Sequence, residues 1–529
     1  MSGGGGPARR AAGAARLATG ISGFDQLALG GLPDGRATLV AGTTGSGKTL
    51  FALEFLARGV LSHDEPGVFV TFEETPEDIR RNALSLGFTV TDWEAADRWV
   101  FVDATPDLTE ESPVIGAYDF TAVLARIRRA VERTGARRVS LDSLDSVFLR
   151  FPDTAVVRHE LLRIAAALEA LGVTAVFTSE RTDGNSLSPV RHSVEEFALN
   201  NVIMLRNTLN EGRRRRTVEI VKFRGARHRT GEWQFTIDPG AGIVVMPIAY
   251  LRPRSRPTLE RVTLGNKGLD AMCRGGVYRD AVVMLTGPTG TGKTLTSLFF
   301  TAAAHERGER ALFHSFDETP EQLHRSAQGW GLDLKKLIGA GTLRLNSEYP
   351  ESASIEEHFI QLKRTIDEFR PHRVAIDSLS ALQRVAGPRA LLDFVISLGA
   401  VLQSNEITTL ITSAPTSAGP SDGAAITVEL ASLTDVNLLL RYVEHVGVVR
   451  RALAVLKTRG TDHDHHVREV FINERGMRVG EPMRSVAHIF VGSGVVTGPG
   501  TAEQGEHATA DADPPGPDAV EGSGDPRDG

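Results

Sequence analysis

Cysteine is all but missing from this chain of 529 residues, where Cys273 stands alone. A single thiol forms no internal disulfide and cannot build a zinc site of the multi-cysteine kind. That usage suits a reducing cytoplasm, the expected location. Long apolar runs are missing too: no stretch reaches the ~20 residues that a membrane-crossing helix needs. The first twenty residues are rich in Gly and Ala, carry Arg9, Arg10 and Arg16, and lack the continuous apolar core of a secretory signal. Residues 1–16 therefore read as a flexible extension. A positive surplus is likewise absent. Net charge is −7, and from Gly500 onward eight acidic residues face one base, Arg527. The body ahead of that point is close to neutral and offers no bulk electrostatic argument for nucleic acid. Residues 491–529 contain few large apolar groups and read as a disordered acidic tail.

What is present is a duplication. Gly42-Thr43-Thr44-Gly45-Ser46-Gly47-Lys48-Thr49 returns as Gly287-Pro288-Thr289-Gly290-Thr291-Gly292-Lys293-Thr294, with the lysines 245 residues apart. Thr71-Phe72-Glu73-Glu74-Thr75-Pro76 returns as Ser315-Phe316-Asp317-Glu318-Thr319-Pro320. Arg138 to Leu144 returns as Arg373 to Leu379, and Lys222-Phe223-Arg224-Gly225 as Lys457-Thr458-Arg459-Gly460, both 235 residues on. Four motifs in one order at nearly one offset predict two homologous domains, at about 17–248 and 259–490, with a linker at 249–258 around Pro253 and Pro257. Short apolar runs such as Ala37–Ala41, Val68–Phe72 and Arg138–Asp142 alternate with helical stretches such as Leu50–Leu56. This predicts two tandem α/β domains of the RecA-like P-loop type, each a mostly parallel sheet covered by helices on both faces.

The motifs carry phosphate chemistry. Glycines let the loop curl so that its N–H groups face a phosphate, and the helix N-terminus adds positive potential. Lys48 and Lys293 are expected to reach the β- and γ-phosphates of ATP, and Thr49 and Thr294 to ligate Mg²⁺. Asp142 and Asp377 end apolar strands, as an acid serving the magnesium shell should. Glu73, Glu74, Asp317 and Glu318 stand at strand ends, where a carboxylate can orient an attacking hydroxyl. The same residues also resemble the start of a helix, since Glu-Thr-Pro-Glu is a capping pattern. Lys222, Arg224 and His228, with Lys457, Arg459 and His463, form a late basic cluster that in a ring can reach a neighbour's nucleotide. The run Asp462 to His466 suggests a metal, but adjacent loop residues rarely all point inward. Arg213 to Arg216 lead into the strand-like Thr217–Val221 and read as an exposed or subunit-interface edge.

These motifs resemble the KaiC family across nearly all of residues 17–490. The resemblance is also carried by Val156–Leu161, Glu195-Glu196-Phe197 and Arg213–Ile220 in the first half, and by Tyr349–Ala353, Ile376–Leu382 and Arg441–Glu444 in the second. It implies homohexamers of two stacked rings with nucleotide at the subunit interfaces. The first ring would be a slow ATPase, and the second an autokinase and autophosphatase. Glu73 would be the first ring's catalytic carboxylate; Asp317 and Glu318 would serve the second ring and its metal. Leu50, Leu295, Ser85 and Trp330 would lie near the nucleotides. Phe223 and Thr458 would accompany the basic clusters, and Arg451, Lys457, Arg459, Thr461 and His463 would contact ATP across the interface. The family's Ser-Thr-Ile-Thr-Asp acceptor segment reads Ala431-Ser432-Leu433-Thr434-Asp435 here, leaving Ser432 as the expected phosphoacceptor, with Thr427 and Thr434 behind it. A KaiB-like or other signalling partner is implied.

Two other readings stay open. One is an ATP-dependent regulatory scaffold without phosphoryl transfer, suggested by Ala431 and by Asp317 where the first copy has Glu73. The other is a RecA-like DNA motor, against which stand the neutral body and the lack of basic segments interleaved with aromatics.

Overall fold

The computed structural model describes residues 15–105, 120–145, 154–181, 199–210, 213–246, 258–414, 432–445 and 447–483. Pro253, Pro257, Glu195–Phe197, Thr427, Ala431 and the acidic tail lie outside the described residues.

Nine strands form the first sheet: β1 (Ala37–Gly42), β2 (Gly67–Thr71), β3 (Trp99–Asp103), β4 (Arg138–Asp142), β5 (Thr174–Glu180), β6 (Asn201–Asn210), β7 (Arg213–Phe223), β8 (Glu232–Asp238) and β9 (Gly242–Val245). Their spatial order is β9-β8-β7-β6-β1-β5-β4-β2-β3. From β3 to β6 all neighbours run parallel, and β7, β8 and β9 then alternate as an antiparallel extension. β2 and β4 are buried at every position, as strands covered on both faces must be. One face packs on α1 (Lys48–His63) and α2 (Pro76–Ser85) through Phe51, Phe55 and Ile79. The other packs on α3 (Phe120–Thr134) and α4 (Thr154–Ala170) through Ile127, Leu161 and Leu168. In α3 the buried Phe120, Val123, Ile127, Ala130 and Val131 recur at helical spacing, which turns one stripe inward.

The second sheet repeats the first. It contains β10 (Val282–Thr286), β11 (Ala311–Ser315), β12 (Leu343–Ser347), β13 (Arg373–Asp377), β14 (Thr408–Ser413), β15 (Val436–His445), β16 (Val448–Thr458), β17 (Arg468–Asn473) and β18 (Gly476–Pro482). Its order, β18-β17-β16-β15-β10-β14-β13-β11-β12, is that of the first sheet shifted by nine strands. Even the register irregularity matches: β6 slips between Val202 and Ile203, and β15 slips between Asn437 and Leu438. A bulge at one equivalent place in two copies is an inherited feature of the strand, not a local accident. The helices are α5 (Lys293–Ala302), α6 (Pro320–Gly329), α7 (Ile355–Phe369) and α8 (Pro388–Ser404). The RecA-like fold with two mostly parallel sheets is thus the observed one.

Two local readings change. The helix expected at Leu50–Leu56 extends over Lys48–His63. The arginines expected ahead of a strand lie inside β7, with Arg216 opposite Asn207 and Arg214 opposite Leu209. Of these, Arg214 is exposed and donates to Asn207 O, while Arg216 is half-buried. Among the described residues no helix is long and apolar enough to cross a membrane.

Candidate functional site

β1 delivers the chain into residues 43–47, and Lys48 opens α1; β10 does the same for residues 287–292 and Lys293. Gly47 and Gly292 take φ of 97° and 108°, a left-handed conformation that residues with a Cβ avoid. A Cβ at the second would also stand 2.9 Å from Ile472 Cδ1, so that side chain would have to move aside. Lys48 Nζ donates to Thr43 O at 3.1 Å, and Lys293 Nζ donates to the carbonyls of Gly287 and Pro288 at 2.8 and 3.0 Å. Burial pushes the Lys293 ammonium below its ordinary value, while Asp377 and Asp317 pull the other way.

Each buried strand-end acid is tied to the loop. Asp142 accepts from Thr178 and Thr49, and Asp377 from Thr294 and Thr412. Burial raises both carboxyls above the usual carboxylate range, and the hydroxyls and the loop lysines oppose it. A divalent cation would relieve two buried acids facing hydroxyls of this kind. The donor set is all oxygen, which suits Mg²⁺. Thr49 with Asp142, and Thr294 with Asp377, are the groups that would hold it.

The carboxylates beyond β2 and β11 are held by neighbours that the motif reading did not identify. Ser143 Oγ donates to Glu73 Oε2 at 3.0 Å, and Ser378 Oγ donates to Asp317 Oδ2 at 2.7 Å. Arg384 lies 3.5 Å from Asp317 Oδ1. Asn82 Nδ2 donates to Glu74 Oε2 at 3.2 Å. Ser315 Oγ accepts from the backbone N–H of Asp317 and of Glu318. Glu74 is raised by burial and by Asp142, Glu73 and Asp78. Glu318 is raised by burial, then by Asp377 and Asp317. The helix-entry reading of this turn holds, because Thr75 caps α2 and Thr319 forms a capping box with Gln322 on α6.

A cleft of about 370 Å³ in the first domain is lined by Gly45, Gly47, Lys48, Thr49, Leu50 and Glu74, with Ser85 at its far side. One of about 670 Å³ in the second gathers Thr289, Gly290, Gly292, Lys293, Thr294 and Leu295. Asp317, Glu318, Trp330, Asp377 and Arg451 complete its wall. Of the remaining loop residues, Gly42 packs beside the buried Ser46 in the first loop and Gly287 beside the buried Thr291 in the second. Thr43 Oγ1 accepts from Asn207 N, and Thr44 donates to Glu180.

The basic cluster stands elsewhere. Phe223 pairs with Asn201, and Thr458 with Val436, at the ends of β6 and β15 that lie farthest from each loop. There Lys222 donates to Leu199 O at 2.9 Å, Arg224 to Asn200 Oδ1 at 3.1 Å, and His228 stacks edge-on to Phe223. In the second copy Lys457 donates to Thr434 O at 2.6 Å and to Ser432 O at 3.2 Å, and Arg459 to Ser432 O at 3.4 Å. Thr461 accepts from Arg261, and the His463 ring sits 4.5 Å from His465. Burial lowers Lys222 and Lys457, and the adjacent Arg224 and Arg459 lower them further. Arg451 does not join this group: its Nε donates to Gly290 O, at its own loop. Arg216, its counterpart one repeat earlier, donates to Gly45 O in the same way, and the shared offset of 235 was the signal that could have found it. Among the described residues no three His, Cys, Asp or Glu side chains form a metal-holding group, so the run Asp462–His466 is not one.

The family model for the ATPase KaiC matches residues 17–250 and again 262–484. The circadian clock protein KaiC3 of Synechocystis sp. is 45% identical over 491 residues, covering 92% of this chain and 96% of that protein. The circadian clock oscillator protein KaiC of Thermostichus vulcanus is 43% identical over 479 residues, 90% of this chain and 91% of its own. That of Synechococcus elongatus is 43% identical over 481 residues, 90% and 92%. With two matched halves, two sheets of one topology and two loop-bearing clefts, the chain belongs to the KaiC family of ATPases, with its domain present twice.

Proposed function

We propose that this protein hydrolyses ATP at both clefts as a homohexamer and phosphorylates itself on Ser432 through the second domain, acting as a clock-type or signalling switch in the cytoplasm. The domains divide near 248 and 259. The observation that carries the kinase half is the pair of contacts from Lys457 and Arg459 to the Ser432 carbonyl. The acceptor is thereby tied to the cations at the end of the sheet away from its own loop. A closed ring of identical subunits joins different surfaces head to tail, so this edge would meet the next subunit's cleft.

Bound Mg²⁺-ATP supplies the phosphoryl group. The loop N–H groups and Lys293 would bind its phosphate oxygens, and Thr294 and Asp377 would hold the cation. Glu318, whose buried site makes it a stronger base, takes the proton from the attacking hydroxyl. In the first domain Glu73, aligned by Ser143, orients water instead.

A second reading, a hydrolysing ring without self-phosphorylation, is favoured by Arg384 and Ser378 both engaging Asp317. Incubation with Mg²⁺-ATP followed by peptide mass spectrometry separates the two. Phosphate on Ser432, lost in Ser432→Ala, supports the switch; hydrolysis without phosphate anywhere overturns it. A KaiB-like partner would be tested by co-elution with the hexamer.

A further inference from the structure

The second domain has a basic cleft of about 730 Å³ at the end of its sheet away from the phosphate loop, where β11, β13 and β14 begin. Arg279, Arg310, Arg370 and His372 line it, with Asp367 and Glu406. Arg279 is committed to Glu260 and Glu309. Arg310 lies over the Phe369 ring and gives one N–H to Arg370 O. The Arg370 guanidinium has no ion-pair partner among the described residues. His372 Nδ1 accepts from Arg310 N at 3.2 Å. The ring proton is therefore on Nε2, which has no partner among the described residues and can donate.

The backbone here is unusual in a way that the first domain explains. Arg370 and Glu406 have φ of 48° and 57°. Their counterparts are Gly135 and Gly172, at 67° and 70°. The match is structural: Gly135 N and Arg370 N donate to Val131 O and Ile366 O, and Gly172 N and Glu406 N donate to Glu169 O and Gln403 O. A left-handed helix end suits glycine, and long L side chains there are strained. Among the described residues the first domain makes the reverse exchange at Asp64 and Asp97, a residue type that tolerates this conformation better. The other cleft positions also differ. Asp34 stands for Arg279 and Pro66 for Arg310, while Arg137, in place of His372, is bridged to Asp34 and Glu65. The first domain closes this corner with ion pairs; the second opens it and lines it with charge held at a conformational cost. Strained residues that persist together around a cavity point to function.

We propose that this cleft binds a small phosphorylated polyol, with its phosphate held by Arg310, Arg370 and His372 and its hydroxyls donating to Asp367 and Glu406. Guanidinium groups match phosphate in planar, paired hydrogen bonds. The volume falls within the roughly 300–1,000 Å³ of small-molecule sites. Because the cleft is separate from the phosphate loop of its own domain, its ligand does not occupy that domain's ATP site.

The test is a ³¹P NMR titration of the full-length protein, saturated with ADP and Mg²⁺, using ribose 5-phosphate as probe and inorganic phosphate as comparison. Ribose 5-phosphate should bind, and bind at least tenfold more weakly to Arg370→Gly. That variant restores the first domain's residue and relieves the strained φ, so its melting temperature should stay level or rise. No broadening with ribose 5-phosphate, or equal broadening in parent and Arg370→Gly, overturns the site. Equal affinity for inorganic phosphate overturns the role given to Asp367 and Glu406.

Discussion

Arg364 of α7 donates to Asp238 at the end of β8, N to O 2.5 Å, joining the second domain to the first. The other Asp238 oxygen accepts from the N–H groups of Gly240 and Ala241, each at 2.8 Å. The preceding residue, Ile237, lies beside the phosphate loop, where a Cβ on Gly47 would meet its Cδ1 at 3.4 Å. One short strand therefore touches the first nucleotide cleft and a helix of the other domain, and Asp238 holds both the turn and the bridge.

The two partners should not cost the same when removed. Arg364 is half exposed, and such a pair is worth about 0.5–1 kcal/mol. Asp238→Ala also strips two backbone donors of their acceptor, adding about 1–2 kcal/mol. Urea unfolding of Arg364→Ala, Asp238→Ala and the double variant should give that ranking, with the double variant close to Asp238→Ala. Equal single-variant costs would mean that the turn is held by something else.

Ser143 Oγ donates to Glu73 Oε2, which on the proposed mechanism makes it a positioning residue. Ser143→Ala should lower first-domain ATP hydrolysis about tenfold with ATP affinity unchanged, against a loss on the order of 10²-fold or more for Glu73→Gln. Both are measured in a Lys293→Ala background, so that only the first cleft turns over. Threonine at 143 should restore most of the rate. A change in KM alone would instead mean that the hydroxyl serves substrate binding.

The loops, the strand-end acids and the duplication are legible in the amino-acid sequence because the backbone dictates them: a phosphate-facing turn needs glycine at set positions, and two copies print that need twice. Arg216 is not legible as a loop contact, since its partner is a carbonyl 171 residues away and only the hairpin register brings them together. The parting of Arg451 from Lys457 has the same origin. Six residues along an extended strand span about 20 Å, enough to move from one end of the sheet to the other. Ser143 and Ser378 stand inside repeated runs, but which way a hydroxyl turns after a strand-end acid depends on the local backbone. The bridge at Asp238 depends on how two domains pack, which no motif encodes.

Arg373 is fully buried, donating to Glu309 at 3.0 Å and to the carbonyls of Thr263 and Phe300. Arg138 does the same in the first domain with Glu65, Phe55 O and Ala18 O. Taking one partner from such a pair leaves an uncompensated buried charge, at about 3–5 kcal/mol. Glu309→Ala should destabilise by that amount in urea unfolding. Arg373→Met, which removes the charge and keeps the bulk, should cost less. If Arg373→Met costs as much, the bonds to the two carbonyls dominate and the ion pair is secondary.

His314 supplies the pH dependence. It lies wholly inside the second domain, with no hydrogen-bond partner on either ring nitrogen among the described residues, edge-on to Phe316 at 4.6 Å. Burial pushes it down to about 4; Glu348 acts to raise it, and His358 lowers it further. The folded value is thus below the unfolded one of ~6.5, so the unfolded chain takes up the proton first as the solution is acidified. Stability is complete above pH 6.5 and is lost progressively towards pH 4, by about 3 kcal/mol in all. Glu348 works in a different window. It is held below the usual carboxylate range by its hydrogen bond from His358 against the effect of burial, so its contribution is lost only at lower pH. The buried carboxyls that are raised, such as Asp142, Asp377, Glu74 and Glu318, also bear on the slope above pH 5, so the histidine is isolated by the difference in slope between parent and His314→Val. The equivalent residue in the first domain is Val70, one repeat earlier on β2. His314→Val should shift the whole curve by a constant packing term and flatten it between pH 7 and 5, read by urea unfolding at each pH. An unchanged slope would mean that the ring gains a proton in the folded state as readily as in the unfolded chain.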